Sequence, residues 1–67
     1  MAVAKITEIS SSSKKSFEDA IQKGIDRAAK TLDKVSGAWI KGQKVVVDNG
    51  QIVEYRVIMK VSFVLKN

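Results

Sequence analysis

The chain of 67 residues contains no cysteine, no histidine and no proline. Without cysteine there are no disulfides, and without cysteine and histidine the common zinc sites are excluded. Histidine or cysteine is also needed for Ser-His-Asp triads, for Cys-His dyads and for acid–base catalysis by imidazole. The composition therefore argues against most classes of enzyme, and we expect a protein that is not an enzyme.

Long hydrophobic runs are absent as well. No stretch approaches the roughly 18 to 20 consecutive apolar residues of a membrane span, and the N-terminus lacks the pattern of a signal peptide. We expect one domain over residues 1–67, in the cytoplasm and without a membrane partner. A chain this short buries only about 60% of its unfolded surface, so its core is marginal. Oligomerisation is the remaining common source of stability.

Basic residues outnumber acidic ones by 12 to 7, which gives a formal net charge of +5. Clustered cations attract the phosphates of nucleic acids. Here the cations are scattered along the chain, and many have an acidic neighbour. The pattern predicts a solvated basic surface and argues against nucleic acid as the partner.

One segment has the periodicity of a helix. From Phe17 to Val35, apolar residues follow each other in steps of three and four, which predicts an amphipathic helix with one buried face. Ser16 is the expected cap, and two acidic residues follow in the first turn, where the helix dipole favours them. Gly37 is the expected terminator. The serine run Ser10–Ser13 is expected to be a polar connection.

The rest of the chain reads as strands. Residues 53–66 alternate regularly and predict one long strand, and Ala38–Val47 predicts another before it. Asn49-Gly50 between them is a strong signal for a type I′ hairpin turn. Val3–Ile9 gives a third strand whose neighbour its own pattern does not determine. The predicted fold class is α+β with the element order β-α-β-β.

A two-residue loop would pair residues whose numbers sum to 99, with Ile40 opposite Met59, Val46 opposite Val53 and Gln43 opposite Arg56. The face away from the helix then mixes apolar and charged side chains: Trp39, Lys41, Gln43, Val45, Val47, Ile52, Glu54, Arg56, Ile58 and Lys60. An exposed apolar surface usually marks an interaction site. We infer that other copies of the chain cover it, the alternative being scattered surface hydrophobes.

Several stretches together resemble the dodecin family: the β-α-β-β order, the serine-rich turn before SFEDAIQKGIDRAAKTL, the DNG hairpin and the closing EYRVIMKVSFVLK. RAAKT and MKVSF are the most specific of them. The resemblance implies a three-stranded antiparallel sheet wrapped around one helix, with twelve copies forming a hollow shell. It also implies storage or buffering of a flavin, FMN or riboflavin, without catalysis.

The resemblance also suggests a ligand site. In flavin-binding dodecins a tryptophan at the start of the second strand stacks on the isoalloxazine ring, and a glutamine on the third strand hydrogen-bonds it; Gly37 and Arg56 stand at these positions here. Trp39 lies two residues further on, displaced by about 6.6 to 6.8 Å on the same face. We predict that Trp39 stacks on the ring, that Arg56 and Gln43 recognise its polar groups, and that Lys41 and Arg56 receive any phosphate tail. A role for Trp39 as an anchor between subunits is the alternative.

Because the usual flavin-stacking tryptophan is missing, the chain also resembles a branch of the family whose members lack it and are regarded as cation-binding or structural cages. The 7 acidic residues show no calcium-loop spacing, so no metal site is predicted within one chain. A metal site formed by carboxylates of several copies at a symmetry axis stays an alternative. The leading hypothesis is a flavin-binding dodecamer, and the alternative is a dodecin-like cage without flavin.

Overall fold

The computed structural model describes residues 3–31 and 34–65. They form β1 (Val3–Ser13), α1 (Phe17–Thr31), β2 (Val35–Asp48) and β3 (Gln51–Leu65), which confirms the predicted element order. The strands form one antiparallel sheet in the order β1-β3-β2, so β1 finds its place beside β3. Within these residues, no helix has the length and apolar character needed to span a membrane.

α1 begins where the sequence predicts. The Ser16 hydroxyl accepts a hydrogen bond from the backbone N–H of Asp19 at 3.0 Å, as an N-terminal cap does. The helix ends at Thr31, however, and Gly37 lies inside β2, so the predicted extension to Val35 and the predicted terminator are wrong. The apolar spacing continued because Val35 packs against the same core from a strand. Leu32, counted in the predicted helix, lies outside the described residues.

β1 is longer than predicted, because Ser10–Ser13 continue the strand and pair with β3. The prediction that these serines form a connection is therefore wrong. Ser13 is buried, and its hydroxyl accepts a hydrogen bond from the Lys15 backbone N–H at 2.9 Å and donates one to Asp19 Oδ2 at 2.5 Å. The last serine thus joins the strand to the first turn of α1.

The hydrophobic core lies between α1 and one face of the sheet. Its buried apolar side chains come from α1 and β3: Ala20, Ala28, Val57, Met59, Val61 and Phe63. Gly24 permits the close approach, because a Cβ there would clash with the terminal methyl of Met59 and lie 3.1 Å from Ser11 Cβ. The rings of Phe17 and Tyr55 also pack in a T-shaped arrangement, with centroids 5.1 Å apart. Only one face of the sheet is covered by this packing.

The hairpin between β2 and β3 turns at the predicted residues. Asn49 and Gly50 have φ angles of 51° and 76°, the positive values that a type I′ turn requires. Further from the turn, Ile40 lies opposite Met59 as predicted. The hairpin and the far end of its register are therefore confirmed.

Between these two points the register departs from the prediction. It shifts between Ile40 and Gly42, as it does where one strand holds an extra residue. Because side chains alternate between the two faces, such a shift moves every following side chain to the other face. Gln43 therefore shares the α1 side of the sheet, and Lys44 lies opposite Arg56 in its place. The predicted pairing of Gln43 with Arg56 is wrong.

A second shift, between Val46 and Val47, restores the original register near the turn. Val46 lies between the two shifts and pairs with Glu54, so its predicted pairing with Val53 is wrong. The two shifts compensate each other, so the error is confined to the middle of the hairpin.

We expect Gly24→Val to lower the free energy of unfolding by about 1 to 3 kcal/mol, because the added branches overpack the contact with Ser11 and Met59. Urea denaturation at a fixed protein concentration measures this change. Gly42→Ala is the matched control, since a Cβ at Gly42 has no atom within 4 Å. Equal midpoints for the two variants would contradict a close contact at Gly24.

Asp19 should make stability depend on pH. The hydrogen bond from Ser13, and then Lys23 Nζ at 3.2 Å, lower the pKa of Asp19 below its ordinary value. A lowered carboxyl pKa stabilises the fold above the unfolded value of about 4, and that stability is lost as the pH falls through the folded value.

We therefore expect Asp19→Asn to destabilise the fold at pH 7 and to differ less from the wild type as the pH falls from about 4 towards 2. Urea midpoints at several pH values test this. Asp26→Asn, at an exposed position of the same helix, controls for the general loss of a carboxylate. A difference between Asp19→Asn and the wild type that stays constant with pH would show that the ionised form of Asp19 is not what stabilises the helix start.

Candidate functional site

The face of the sheet turned away from α1, called the open face below, carries the largest exposed apolar groups. Three of these lie on three different strands: Ile6 is 60% exposed, Trp39 75% and Ile58 42%. The register places all three on this face, because their neighbours on β3 alternate with its buried residues. A surface of this kind usually binds a ligand or another protein.

Trp39 lies in β2 directly opposite Lys60 on β3. With Ile40, Lys41 and Lys60 it lines a shallow depression of about 220 Å³. The Lys41 ammonium lies 3.2 Å from Glu8 Oε1 on β1, and both side chains are about half exposed. Such an exposed pair contributes little to stability. The arrangement offers an open indole ring with positive charge beside it, which suits stacking on a planar ligand.

A second depression, called the Ile58 notch below, lies further along the same face. It has a volume of about 250 Å³ and is lined by Ser10, Gly42, Gln43, Lys44, Arg56 and Ile58. Arg56 Nε donates a hydrogen bond to Glu54 Oε2 at 2.5 Å. The lining of the notch thus combines the apolar side chain of Ile58 with the cationic side chains of Lys44 and Arg56.

The four predicted site residues fall into two groups. Trp39 and Lys41 line the first depression, and Arg56 and Gln43 line the Ile58 notch. The row of Trp39 and the row of Arg56 are four residues apart on β3, or roughly 13 Å. The structure thus places them in sequence along one sheet and does not gather them into one pocket.

Sequence reasoning gave no role to two cations of these depressions. Lys60 was already expected opposite Trp39, and its position is confirmed. Lys44 was expected on the α1 side, because the register shift near Gly42 was not foreseen. A glycine inside a strand often marks such an irregularity, so Gly42 was the available signal.

Metal binding within one chain has no support in the described ranges. No group of three or more acidic, cysteine or histidine side chains occurs in residues 3–31 and 34–65. The two carboxylates of the open face, Glu8 and Glu54, each lie against a basic side chain.

Comparison with known families and structures gives consistent matches. The dodecin family model matches residues 3–66. A dodecin from Streptomyces davaonensis is 30% identical, with 98% of this chain and 97% of that chain covered and a TM-score of 0.93. A single-residue mutant of the T. thermophilus dodecin is also 30% identical, with 100% of both chains covered and a TM-score of 0.93. No curated protein matches this chain significantly.

The description of a third structure names a ligand. It is a calcium dodecin from Mycobacterium tuberculosis, described as a calcium-chelating antigen with a novel calcium-binding site. It is 32% identical, with 96% of this chain and 91% of that chain covered and a TM-score of 0.82. Because the family model spans nearly the whole sequence and these structures share its fold, the chain belongs to the dodecin family.

Proposed function

We propose that this protein is a non-catalytic flavin-binding protein that stores or buffers FMN or riboflavin in the cytoplasm, as a hollow homododecamer of single-domain chains. The dodecin family as a whole binds small ligands without catalysis and forms dodecamers. The observation that carries the proposal for this chain is Trp39, a 75% exposed indole on a sheet face that none of the described elements covers.

Self-association is supported by the balance of buried and exposed apolar groups. The described residues bury only six apolar side chains, two of which are alanine. Meanwhile Ile6 and Ile58 stay exposed on the open face. Burial of these groups against other copies would add hydrophobic stabilisation of about 25 cal/mol per Å² of apolar area.

Ligand binding in this proposal uses the open face. Trp39 stacks on the isoalloxazine ring, and an aromatic pair of this kind contributes about 0.5 to 1.5 kcal/mol beyond its buried area. Lys41 supplies positive charge beside the ring, and Arg56 supplies polar groups further along the open face, whereas Gln43 lies on the α1 side of the sheet. The proposal involves binding and release only, without catalysis.

Flavin titration tests the proposal directly. We expect micromolar protein to quench the fluorescence of added riboflavin or FMN, because a stacked indole donates an electron to the excited flavin ring. Sedimentation velocity on the same sample should show a species of about twelve chain masses. Flavin emission that stays unchanged at micromolar protein would overturn flavin binding, and a stable single-chain species would overturn the assembly.

The role of Trp39 can be separated from that of a subunit anchor. We expect Trp39→Ala to abolish flavin quenching while the sedimentation coefficient of the assembly is kept, because in this proposal the exposed indole contacts the ligand and Ile6 and Ile58 remain to pack between copies. Trp39→Phe, which keeps an aromatic ring, should retain part of the quenching. Dissociation of the Trp39→Ala protein into smaller species would instead favour the anchor role.

A cation-binding cage is a second candidate, favoured by the 32% identity to the calcium dodecin. The described residues hold no acidic cluster of their own, so carboxylates of several copies would have to converge on one ion. Calorimetric titration with Ca²⁺ tests this candidate. Saturable calcium binding without flavin quenching would favour the cage over the flavin store.

A further inference from the structure

α1 covers only part of the length of the sheet. The 15 residues of α1 span roughly 22 Å, whereas the 15 residues of β3 span roughly 50 Å. The buried side chains of β3 begin at Val57, and Phe17, the first residue of α1, packs against Tyr55. Residues 45–53 therefore extend beyond the helix, and they are called the hairpin end below.

The hairpin end carries exposed apolar side chains and one negative charge. Val47, Ile52 and Val53 are 56%, 52% and 43% exposed. Val47 lies opposite Ile52, so the exposed apolar groups are concentrated next to the turn. Asp48 is exposed as well and is the single charged residue of this segment. An apolar, acidic surface of this kind suits a partner that is apolar and basic.

A groove between α1 and β1 has the complementary character. Its volume is about 390 Å³, and its lining includes Thr7, Ile9, Lys23, Gly24, Arg27 and Ala28. It lies on the α1 side of the sheet, away from the open face. Within the described sheet β1 pairs only with β3, so the outer edge of this strand is not covered by another strand. This surface is called the α1–β1 groove below.

The charges of the two surfaces lack partners in the described part of the chain. Lys23 Nζ lies 3.2 Å from Asp19 Oδ2, but no acidic oxygen of residues 3–31 and 34–65 lies within 4.0 Å of the Arg27 guanidinium. The same residues place no basic nitrogen within 4.0 Å of the Asp48 carboxylate. The groove thus offers a cation, and the hairpin end an anion, that these residues leave unpaired.

We propose that the hairpin end of one copy binds in the α1–β1 groove of a second copy, with its apolar side chains against the groove and Asp48 paired with Arg27. The inference rests on the proposed self-association and names the surfaces through which the copies meet. The two surfaces do not meet within one chain. Gln51 is eight residues along β3 from Met59, roughly 26 Å, and Gly24 of the groove lies beside Met59.

The contact joins two different surfaces, so each copy gives its hairpin end and receives that of another copy. Contacts of this type either close into a ring or continue as an open filament. The dodecin family forms dodecamers, which have a defined size and therefore require closed rings. The contact leaves the open face, with Trp39, available for a ligand and for further contacts between copies.

Reversal of the two charges tests the contact. We expect Arg27→Glu to raise the protein concentration at which half of the chains are assembled by about tenfold or more, because it places two carboxylates together at the interface. Asp48→Arg should have the same effect, and the combined Arg27→Glu/Asp48→Arg variant should restore assembly. Sedimentation velocity over a concentration series measures this. Lys30→Glu, at an exposed position of α1, is the control for net charge and should assemble like the wild type.

Cross-linking locates the contact independently of its strength. The chain has no cysteine, so a Thr31→Cys/Gln51→Cys variant contains one thiol in the groove and one at the hairpin end. We expect a short bis-maleimide to join these thiols between copies and to give a ladder of covalent oligomers on a denaturing gel. Each single-cysteine variant should give single chains, because the contact joins different surfaces. Single chains from the double variant would overturn the proposed contact.

The failures of the two proposals are distinguishable. Wild-type protein that sediments as single chains would overturn self-association and the hairpin contact together. A wild-type assembly that neither charge reversal weakens would overturn the hairpin contact and leave the proposed assembly intact.

Discussion

The contact between one helix and one face of the sheet is the constraint on which the rest of the structure depends. α1 approaches so closely that a Cβ at Gly24 would lie 3.1 Å from Ser11 Cβ and would displace the terminal methyl of Met59. This packing buries six apolar side chains, and no second layer within the described residues covers the opposite face. A small chain that leaves one sheet face uncovered has surface available for a ligand and for other copies of itself.

The irregularity in β2 determines what the open face presents. A regular hairpin would have placed Gln43 opposite Arg56 on the open face. The shift near Gly42 places Lys44 there instead and leaves a recess above Ile58. Bulges often occur next to functional sites because they redirect side chains. This one places the cationic Lys44, instead of the neutral Gln43, opposite Arg56.

Electrostatic contacts on the open face are compatible with a ligand that rearranges them. The pairs of Lys41 with Glu8 and of Arg56 with Glu54 are partly or largely solvent-exposed, and exposed ion pairs contribute only about 0 to 1 kcal/mol. By contrast, Ser13 and Asp19 tie the end of β1 to the start of α1 through a part-buried hydrogen bond. The molecule thus has firm polar contacts where the helix starts and weak ones where the ligand is proposed to bind.

The sequence by itself determined the order of the elements, the cap at Ser16, the Asn49-Gly50 turn and the exposure of Trp39, because each depends on local periodicity or on the conformational preference of one or two residues. The apolar periodicity predicted too long a helix, because Val35 continues the spacing of α1 although it enters the same core from β2. Only the tertiary structure decided the place of β1 beside β3, the pairing of Ser10–Ser13 and the face on which Gln43 and Lys44 lie. These features depend on hydrogen bonds between distant strands, and a one-residue shift in such pairing exchanges the faces of a strand without changing its sequence pattern.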